Sequence, residues 1–224
     1  LRFSGDHIAT LRALGEHRGK QALFYQQTPE ALESLRHVAI VESSESSNRL
    51  EGIVAPHKRV EDMVLRSSAP RNRSEQEIAG YRDALGLIHE CASEMALASN
   101  IVLQIHGTIY RYLPNEGGRW KMTNNEIVER DRHGDVVRVR FSPVSALSTP
   151  QAMETLVNSY QHAVNGQAQD ALVIVPLTIL DLLCIHPFDD GNGRTARLVT
   201  LLLLYHFGYE VGRYISLERI FEES

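Results

Sequence analysis

The 224-residue sequence has little of several features that direct a chain into a specialised class of protein. It has only two cysteines, Cys91 and Cys184, each in an apolar context, so we expect buried, reduced thiols rather than a disulfide or a metal pair. No run of about 18 apolar residues occurs, which predicts that no segment spans a bilayer. Free thiols suit the reducing cytoplasm, which is the compartment we expect.

An excess of positive charge is also missing. The 23 Lys and Arg against 28 Asp and Glu give a net charge of −5, which argues against nucleic acid or a membrane surface as a partner. The first residues, 1–6, lack both a methionine and a signal sequence, so we expect a fragment of a longer chain. With 43% hydrophobic and 23% charged residues the composition is globular, and it excludes disordered, collagen-like and coiled-coil chains.

Start signals and apolar periodicity predict a mostly helical chain. Thr28-Pro29-Glu30 predicts a helix that runs to Gly52, with the Thr28 hydroxyl as its N-cap. The capping box Ser74–Glu77 predicts a second helix, which continues through Met95. A third helix is predicted over 149–166, because Thr149-Pro150 is a start signal and Gly166 a stop signal.

The remaining segments show two other patterns: long apolar runs, and a short stretch in which apolar and charged residues alternate. The run Ala171–Ile185 is apolar on most sides, which predicts a buried central helix, and Arg194–His206 is its successor. In 137–141, valine and phenylalanine alternate with arginine after the turn-forming run Asp131–Asp135, which predicts a hairpin. Its first strand is expected over Met122–Val128, and the hairpin must rest on the helices because two strands are marginal alone.

The densest set of functional side chains is His186–Arg197, between the two apolar helices. Pro187 ends the incoming helix, because it lacks an N–H and disfavours helical geometry at the preceding residue. Gly191 and Gly193 permit the positive φ that lets successive N–H groups converge on an anion at the start of the next helix. This segment, the 186–197 loop, therefore predicts a phosphate site.

Charged residues in the loop support the same interpretation. Arg194 and Arg197 are three apart in the first helical turn, so we expect both guanidinium groups to face one anion. Each opposes the helix dipole by about 0.3–1 kcal/mol, which favours a bound anion as the reason for them. Asp190 would repel a phosphate unless a cation such as Mg²⁺ lies between them. His186 is a natural proton acceptor for an incoming hydroxyl, since its unperturbed pKa is about 6.5.

Two segments of the sequence also resemble other phosphate-binding patterns. Gly191–Ala196 also fits the dinucleotide pattern G-x-G-x-x-A, with Glu210 roughly 20 residues on, but that site needs a strand before the first glycine. Gly15–Lys20 imitates a phosphate-binding loop, although it is one residue short and Gln21 stands where Ser or Thr is required. We interpret that segment as a helix connection.

The run His186–Arg197 resembles the Fic motif, H-P-F-x-[DE]-G-N-G-R-x-x-R, at every defined position. Gly117–Lys121 is similar to the segment before the family's flap, and the predicted hairpin lies where the flap would be. The resemblance implies an all-α fold, a Fic-type helical bundle with a small β-hairpin flap. It divides the chain into an N-terminal helical extension, 1–95, and a Fic core, 96–224, which we expect to be truncated at its C-terminal end.

The resemblance also implies a role for each matching residue. His186 would be the general base, and Asp190 would bind Mg²⁺. Arg197 would reach the γ-phosphate of ATP, and Phe188 would anchor the loop in the core. The α- and β-phosphates would be held by Gly191, Asn192, Gly193 and Arg194.

A second element, Ser47–Gly52, is similar to the family's inhibitory pattern [ST]-x-x-x-E-[GN]. From the residues alone, Gly52 is a helix-ending glycine, and Glu51 in the last turn is disfavoured by about 0.3–1 kcal/mol or simply solvated. The resemblance implies instead that Glu51, in a motif completed by Ser47 and Gly52, pairs with Arg197 and denies that guanidinium to the γ-phosphate.

Together these features imply an autoinhibited protein adenylyltransferase that uses ATP and Mg²⁺. The flap, Met122–Phe141, would bind the target protein by adding a strand to its backbone. Self-modification is also implied, and a homodimer is left open. The same loop would serve three alternatives: removal of AMP from a target, transfer of another phosphate-containing group, and nucleotide binding without turnover.

Overall fold

The computed structural model of the chain describes residues 3–25, 29–114, 117–166 and 169–224. Over these residues the chain is helical with one antiparallel hairpin, so the all-α prediction is confirmed. No helix in these ranges is long and apolar enough to cross a membrane. The α-helices are α1 (Gly5–Tyr25), α2 (Pro29–Arg49), α3 (His57–Arg66), α4 (Arg73–Cys91), α5 (Ser99–Ile109), α6 (Thr149–Gly166), α7 (Ala171–Ile185), α8 (Asn192–His206) and α9 (Leu217–Glu223).

The core is built around α8. Ten residues of α8 are buried, and the helix packs against α4, α5 and α7. The prediction that α7 is the buried central helix is wrong, because Pro176, Leu180 and Leu183 are exposed on one side of it. Its opposite side packs against α6 and α8. Both helices have apolar residues on most of their faces, but only α8 is covered by neighbouring helices on those faces.

The hairpin is confirmed, with a later start than predicted. Strand β1 (Ile127–Arg130) pairs antiparallel with β2 (Val136–Phe141), and Gly134 has a φ of 91° in the turn between them. The first strand does not begin at Met122. Two residues before the strand are bound elsewhere: the Lys121 N–H donates to the Pro187 carbonyl, and the Asn125 side chain donates to the Phe188 carbonyl.

Helix ends differ from prediction where another side chain caps better. The N-cap of α4 is Asn72, whose side chain accepts the Glu75 N–H at 3.0 Å, and the predicted capping box at Ser74 is wrong because Ser74 lies inside the helix. The helix ends at Cys91, before a 3₁₀ turn, rather than continuing to Met95. The predicted cap of α2, Thr28, lies outside the described residues.

Helix α2 ends in a turn that matters for the site. The helix stops at Arg49, and the N–H groups of Gly52 and Ile53 return to the carbonyls of Arg49 and Asn48 at 2.9 Å. This is a Schellman motif, and Gly52 takes the left-handed conformation that it requires, with φ 76°. The turn carries Glu51 away from the helix axis, beyond the last helical residue.

Two smaller predictions are corrected. Gly15–Lys20 is helix interior in α1, not a connection, and α1 contacts the rest of the chain through Arg18 and Gln21, which donate to the carbonyls of 207 and 208. Cys91 and Cys184 are free, as expected, but both are only partly buried. Neither thiol is therefore the fully enclosed core residue that its apolar neighbours predicted.

The contact between α4 and α5 predicts opposite effects for two glycines of α4. A Cβ on Gly80 would lie 1.9 Å from the Ile109 carbonyl oxygen, whereas one on Gly86 would meet nothing within 4 Å. We expect Gly80→Ala to lower the free energy of unfolding by about 2–3 kcal/mol, since backbone must move. Gly86→Ala should raise it by up to about 1 kcal/mol, through helix propensity. Urea unfolding of both variants measures this, and equal effects would contradict the close contact.

Candidate active site

His186 stands at the junction of α7 and the 186–197 loop. It is the C-cap of α7, with φ 52° and ψ 62°, and its N–H donates to the Leu182 carbonyl at 3.0 Å. This left-handed conformation costs a residue with a Cβ about 1–2 kcal/mol, so the surrounding contacts must impose it. Pro187 follows and prevents the helix from continuing.

The His186 ring is in the form that accepts a proton. Burial lowers the pKa of this imidazole, and the nearby Lys121 ammonium lowers it further, against the Leu183 carbonyl, which raises it. The ring is therefore neutral at pH 7. Its Nδ1 atom is buried, which leaves Nε2 as the nitrogen that a substrate can reach.

Phe188 and Asn192 hold the middle of the loop. The Phe188 side chain is almost completely buried. The Asn192 amide accepts the Phe188 N–H at 3.0 Å and donates to the Phe188 carbonyl at 2.8 Å. Asn192 is among the residues predicted to hold the phosphates. Its side chain braces the loop, and its backbone N–H is the group available to an anion.

His106, on α5, fixes the loop to the segment before the hairpin. Its ring stacks on Phe188, with 3.7 Å between centroids and 4° between planes. Nδ1 accepts the Gly118 N–H at 2.9 Å, so Nε2 carries the proton and donates to the Asp190 carbonyl at 3.1 Å. Burial lowers the pKa of His106 to about 4, which keeps this bonding pattern at neutral pH.

Lys121 and Asn125 connect the root of the hairpin to the same loop. The Lys121 ammonium donates to the Ile185 carbonyl at 3.2 Å and to Asn125 Oδ1 at 2.9 Å. The Asn125 amide donates to the Phe188 carbonyl at 3.1 Å, and the Lys121 N–H to the Pro187 carbonyl at 2.9 Å. A movement of the hairpin root would therefore be transmitted directly to the loop.

Asp190 begins the anion-binding end of the loop. Its Oδ1 accepts the Gly191 N–H at 2.7 Å, and its Oδ2 lies 3.5 Å from the Arg194 guanidinium. Burial raises the pKa of this carboxyl, but the Tyr110 hydroxyl, the Gly191 N–H and Arg194 outweigh it, so the pKa is lowered. The carboxylate is ionised, and its side chain is 66% exposed.

Gly191 and Gly193 leave room at the start of α8. A positive φ was predicted for both, but only Gly191 has one, because Gly193 already lies in the first turn of the helix. Gly191 has φ 77°, and a Cβ there would lie 2.9 Å from the Tyr110 ring, so both conformation and space require glycine. The first N–H groups of α8, from Asn192 onward, have no acceptor within the helix. Together with the helix dipole they favour a negative charge at this point.

The two arginines of the loop have different partners. Arg194 is 1% exposed and pairs with Glu77 of α4 at 2.8 Å, while its other nitrogen lies 3.3 Å from the Tyr110 hydroxyl. Arg197 turns to α2, where it donates to Ser47 and Glu51. The predicted convergence of both guanidinium groups on one anion is therefore absent from this conformation.

Glu51 occupies the place that the sequence predicts for phosphate. Its Oε1 lies 2.8 Å from the Arg197 guanidinium. A Cβ built on Gly193 would lie only 2.2 Å from the same oxygen, so the carboxylate sits directly over the first turn of α8. A carboxylate with Arg beside it at a helix N-terminus has the surroundings of a bound phosphate oxygen.

The residues present could hold a magnesium ion only together with the phosphate oxygens of a bound nucleotide. Over the described ranges, no three His, Cys, Asp or Glu side chains are grouped as a metal site. Asp190 supplies one ionised, exposed carboxylate. Mg²⁺ is characteristically bound by one or two carboxylates together with substrate phosphates and water, so Asp190 fits that pattern when a nucleotide is present.

Sequence reasoning missed the residues that support the loop from a distance. These residues are Glu77, His106, Tyr110, Lys121 and Asn125. Glu77 was predicted only as part of a capping box and Lys121 only as part of the segment before the flap, and no contact with the loop was predicted for any of them. His106 had a signal, since it is a polar residue on the apolar face of the run Ile101–Ile109. Buried lysine and glutamate leave no such signal, because these residue types are normally exposed.

The site therefore combines a neutral histidine at one end of a loop with free N–H groups of a helix N-terminus at the other end, on a helical bundle. Residues 96–204 match the sequence model of the Fic/DOC family. This segment, just under half of the chain, is a Fic domain, and the resemblance drawn from the motif is confirmed.

The curated relatives of this chain carry two different names. Protein adenylyltransferase Fic from Drosophila grimshawi is 27% identical over 138 residues, which cover 59% of this chain and 26% of that protein. A ribonucleoside-diphosphate reductase small chain from Ostreid herpesvirus 1 (isolate France) is 33% identical over 95 residues, 39% of this chain and 16% of the viral protein. The chain thus spans about a quarter or less of these curated relatives.

A solved structure confirms the fold. A Fic domain containing signaling protein from Bacteroides thetaiotaomicron aligns with 88% of this chain and 73% of its own, at a TM-score of 0.73 and 24% identity. The helical bundle described above is therefore the Fic fold.

The buried histidines predict how stability depends on pH. Burial lowers the pKa of both His89 and His106 to about 4, against about 6.5 in an unfolded chain. Between these values the unfolded state binds more protons, so stability should fall as the pH drops below about 6.5, by about 1.4 kcal/mol per pH unit for each ring. Urea unfolding between about pH 5 and 6.5 measures the slope. His106→Gln should lower the slope by the contribution of one ring, since His89 and His186 still titrate, and an unchanged slope would contradict the assignment.

Proposed function

We propose that this protein is an adenylyltransferase that transfers AMP from ATP to a hydroxyl side chain of a target protein. The observation that carries the proposal is the neutral His186 imidazole on the same short loop as the anion cradle of α8. Membership of the Fic/DOC family and relatives named protein adenylyltransferase support it.

In this proposal His186 Nε2 accepts the proton of the target hydroxyl. The freed oxygen attacks the α-phosphorus of ATP, the bond from that phosphorus to its bridging oxygen breaks, and pyrophosphate leaves. The neutral ring is already the required base at pH 7. The left-handed backbone of His186 and the hydrogen bond between Phe188 and Asn192 restrain the position of the imidazole relative to the start of α8.

The phosphates would lie over the first turn of α8. Backbone N–H groups of Asn192 and Gly193 would bind them, and Arg197 would reach the γ-phosphate. Arg194 would act on the β-phosphate and on Asp190, which it approaches to 3.5 Å. Mg²⁺ held by Asp190 and phosphate oxygens would supply charge neutralisation during transfer.

We propose further that Glu51 keeps the activity low. Its carboxylate bonds to Arg197 and covers Gly193, so it competes with the γ-phosphate for both. The Schellman turn through Gly52 fixes the position of Glu51 after α2. ATP would then bind without Arg197, in a pose that does not align its α-phosphorus with the attacking hydroxyl.

The target would bind along the hairpin, residues 122–141, through backbone pairing with an exposed strand. All six residues of β2 are exposed, which supports that use. The extension, 1–95, carries the inhibitory residues, and the core, 96–224, carries the loop. Removal of AMP, transfer of another phosphate-containing group and silent nucleotide binding are the competing functions, and the mass added to a target separates them.

Glu51→Gly should raise AMP transfer about a hundredfold, since a partly buried ion pair of about 3 kcal/mol is lost. Intact-mass spectrometry of the variant with Mg-ATP measures transfer to itself or to a target. Leu50→Gly is the matched control, because it loosens the same turn and leaves the carboxylate in place. An unchanged rate for Glu51→Gly would contradict the inhibitory role.

His186→Ala, in the Glu51→Gly background, should abolish transfer and leave ATP binding within about twofold, because the imidazole moves a proton and holds no phosphate. Transfer and ATP affinity are measured on the same preparation. His162→Ala, an exposed histidine of α6, controls for loss of an imidazole. Retained transfer by His186→Ala would remove His186 as the base.

A further inference from the structure

Arg197 is held by two bonds that do not involve Glu51. Its Nε donates to the Ser47 hydroxyl oxygen at 2.8 Å, and one terminal nitrogen donates to the Ser47 carbonyl at 2.8 Å. The other terminal nitrogen lies 3.1 Å from the position that a Gly193 Cβ would take, on the cradle side. The guanidinium is therefore already oriented toward the start of α8.

A buried chain of hydrogen bonds continues behind Ser47. The Tyr81 hydroxyl donates to Glu218 Oε1 at 2.8 Å. The Ser47 hydroxyl acts on the same phenol and lowers its pKa, as a donor to the phenol oxygen does. Burial raises the pKa of Tyr81 well above its usual range, so the phenol stays protonated. Ser47, Tyr81 and Glu218 are each at most 1% exposed.

The direction of this relay follows from its two ends. Arg197 can only donate, and the carboxylate of Glu218 can only accept. The Ser47 hydroxyl accepts a hydrogen bond from Arg197, which leaves its own O–H to donate to Tyr81. The Tyr81 O–H in turn donates to Glu218. Hydrogen bonds aligned in one sense reinforce one another in a low-dielectric interior. Glu218 thereby compensates the charge of Arg197 from the far end of the relay.

Helix α9, which carries Glu218, is fastened to the helix that carries Ser47. Arg49 of α2 pairs with Glu222 at 3.2 Å, and Arg219 pairs with Glu42 of α2. The Ser216 hydroxyl caps α9 by accepting the Arg219 N–H. The two ends of the relay are thus held in register by contacts outside it.

We propose that Glu218, acting through Tyr81 and Ser47, is a positioning residue that keeps Arg197 oriented for the γ-phosphate after Glu51 has withdrawn. The inference rests on the proposed function, because it takes the γ-phosphate as the ligand of Arg197. Release of inhibition then requires only the Glu51 carboxylate to move. A free arginine would have to lose its side-chain freedom on each binding event, whereas the relay has already fixed it.

The test compares ATP with ADP, because only ATP brings a γ-phosphate to Arg197. In the Glu51→Gly background, Tyr81→Phe should weaken ATP binding about tenfold, or about 1.4 kcal/mol, and change ADP binding less than twofold. Glu218→Gln, which keeps an acceptor and removes the charge, should act in the same direction with a smaller effect. Isothermal titration with each nucleotide gives both affinities.

Tyr160→Phe is the matched control, since Tyr160 is a core tyrosine of α6 outside the relay, and it should leave both affinities unchanged. If Tyr81→Phe weakens ATP and ADP equally, or neither, the positioning role is overturned. A Glu51→Gly protein that binds ATP no better than ADP contradicts the γ-phosphate role of Arg197, and the inference with it. Selective loss of ATP affinity without any AMP transfer supports the relay and contradicts only the proposed function.

Discussion

The burial of Phe188 under the 186–197 loop is the contact on which the rest of the site depends. A loop that displays free N–H groups and a left-handed histidine cannot hold its shape by its own backbone hydrogen bonds. Asn192 ties the loop to itself, and the stacked ring of His106 ties it to α5. Because His106 also binds Gly118, one contact fixes the loop and the start of the hairpin segment together.

Charge compensation makes the site depend on residues far away in the sequence. Arg194 and Arg197 lie near the start of α8, but Arg194 pairs with Glu77 of α4 and Arg197 with Glu51 in the turn after α2. A buried guanidinium without a carboxylate would cost several kcal/mol, so the stability of the loop depends on these distant residues. In the proposed function, the arginines that bind phosphate are thus oriented by carboxylates that are not phosphate ligands.

Local chemistry explains what the sequence could predict. The proline after His186, Gly191 and Gly52 each indicate a backbone requirement that can be read without knowing any partner. The hairpin and the loop were found in this way. The prediction that α7 is the central helix was wrong because an apolar helix surface does not indicate which other helices cover it. The strand β1 starts later than predicted, and residues before it contact the loop.

What could not be predicted is the pairing of buried polar groups. Glu77 and Arg194 are separated by 117 positions, and Glu218 lies 137 positions after Tyr81. A buried Glu and a surface Glu look identical in a sequence, and the exposed assignment is normally correct. Only the folded chain brings Ser47, Tyr81 and Glu218 close to one another.

The left-handed backbone at His186 sets stability against activity at a single position. Glycine is the residue that favours this conformation, so a chain selected only for heat resistance would gain by giving up the histidine. Under the proposed function, selection for survival at high temperature alone would therefore favour loss of the imidazole, and with it the proposed proton acceptor. A histidine at a position whose backbone favours glycine is what that proposed role requires, since folding alone gives no reason for it.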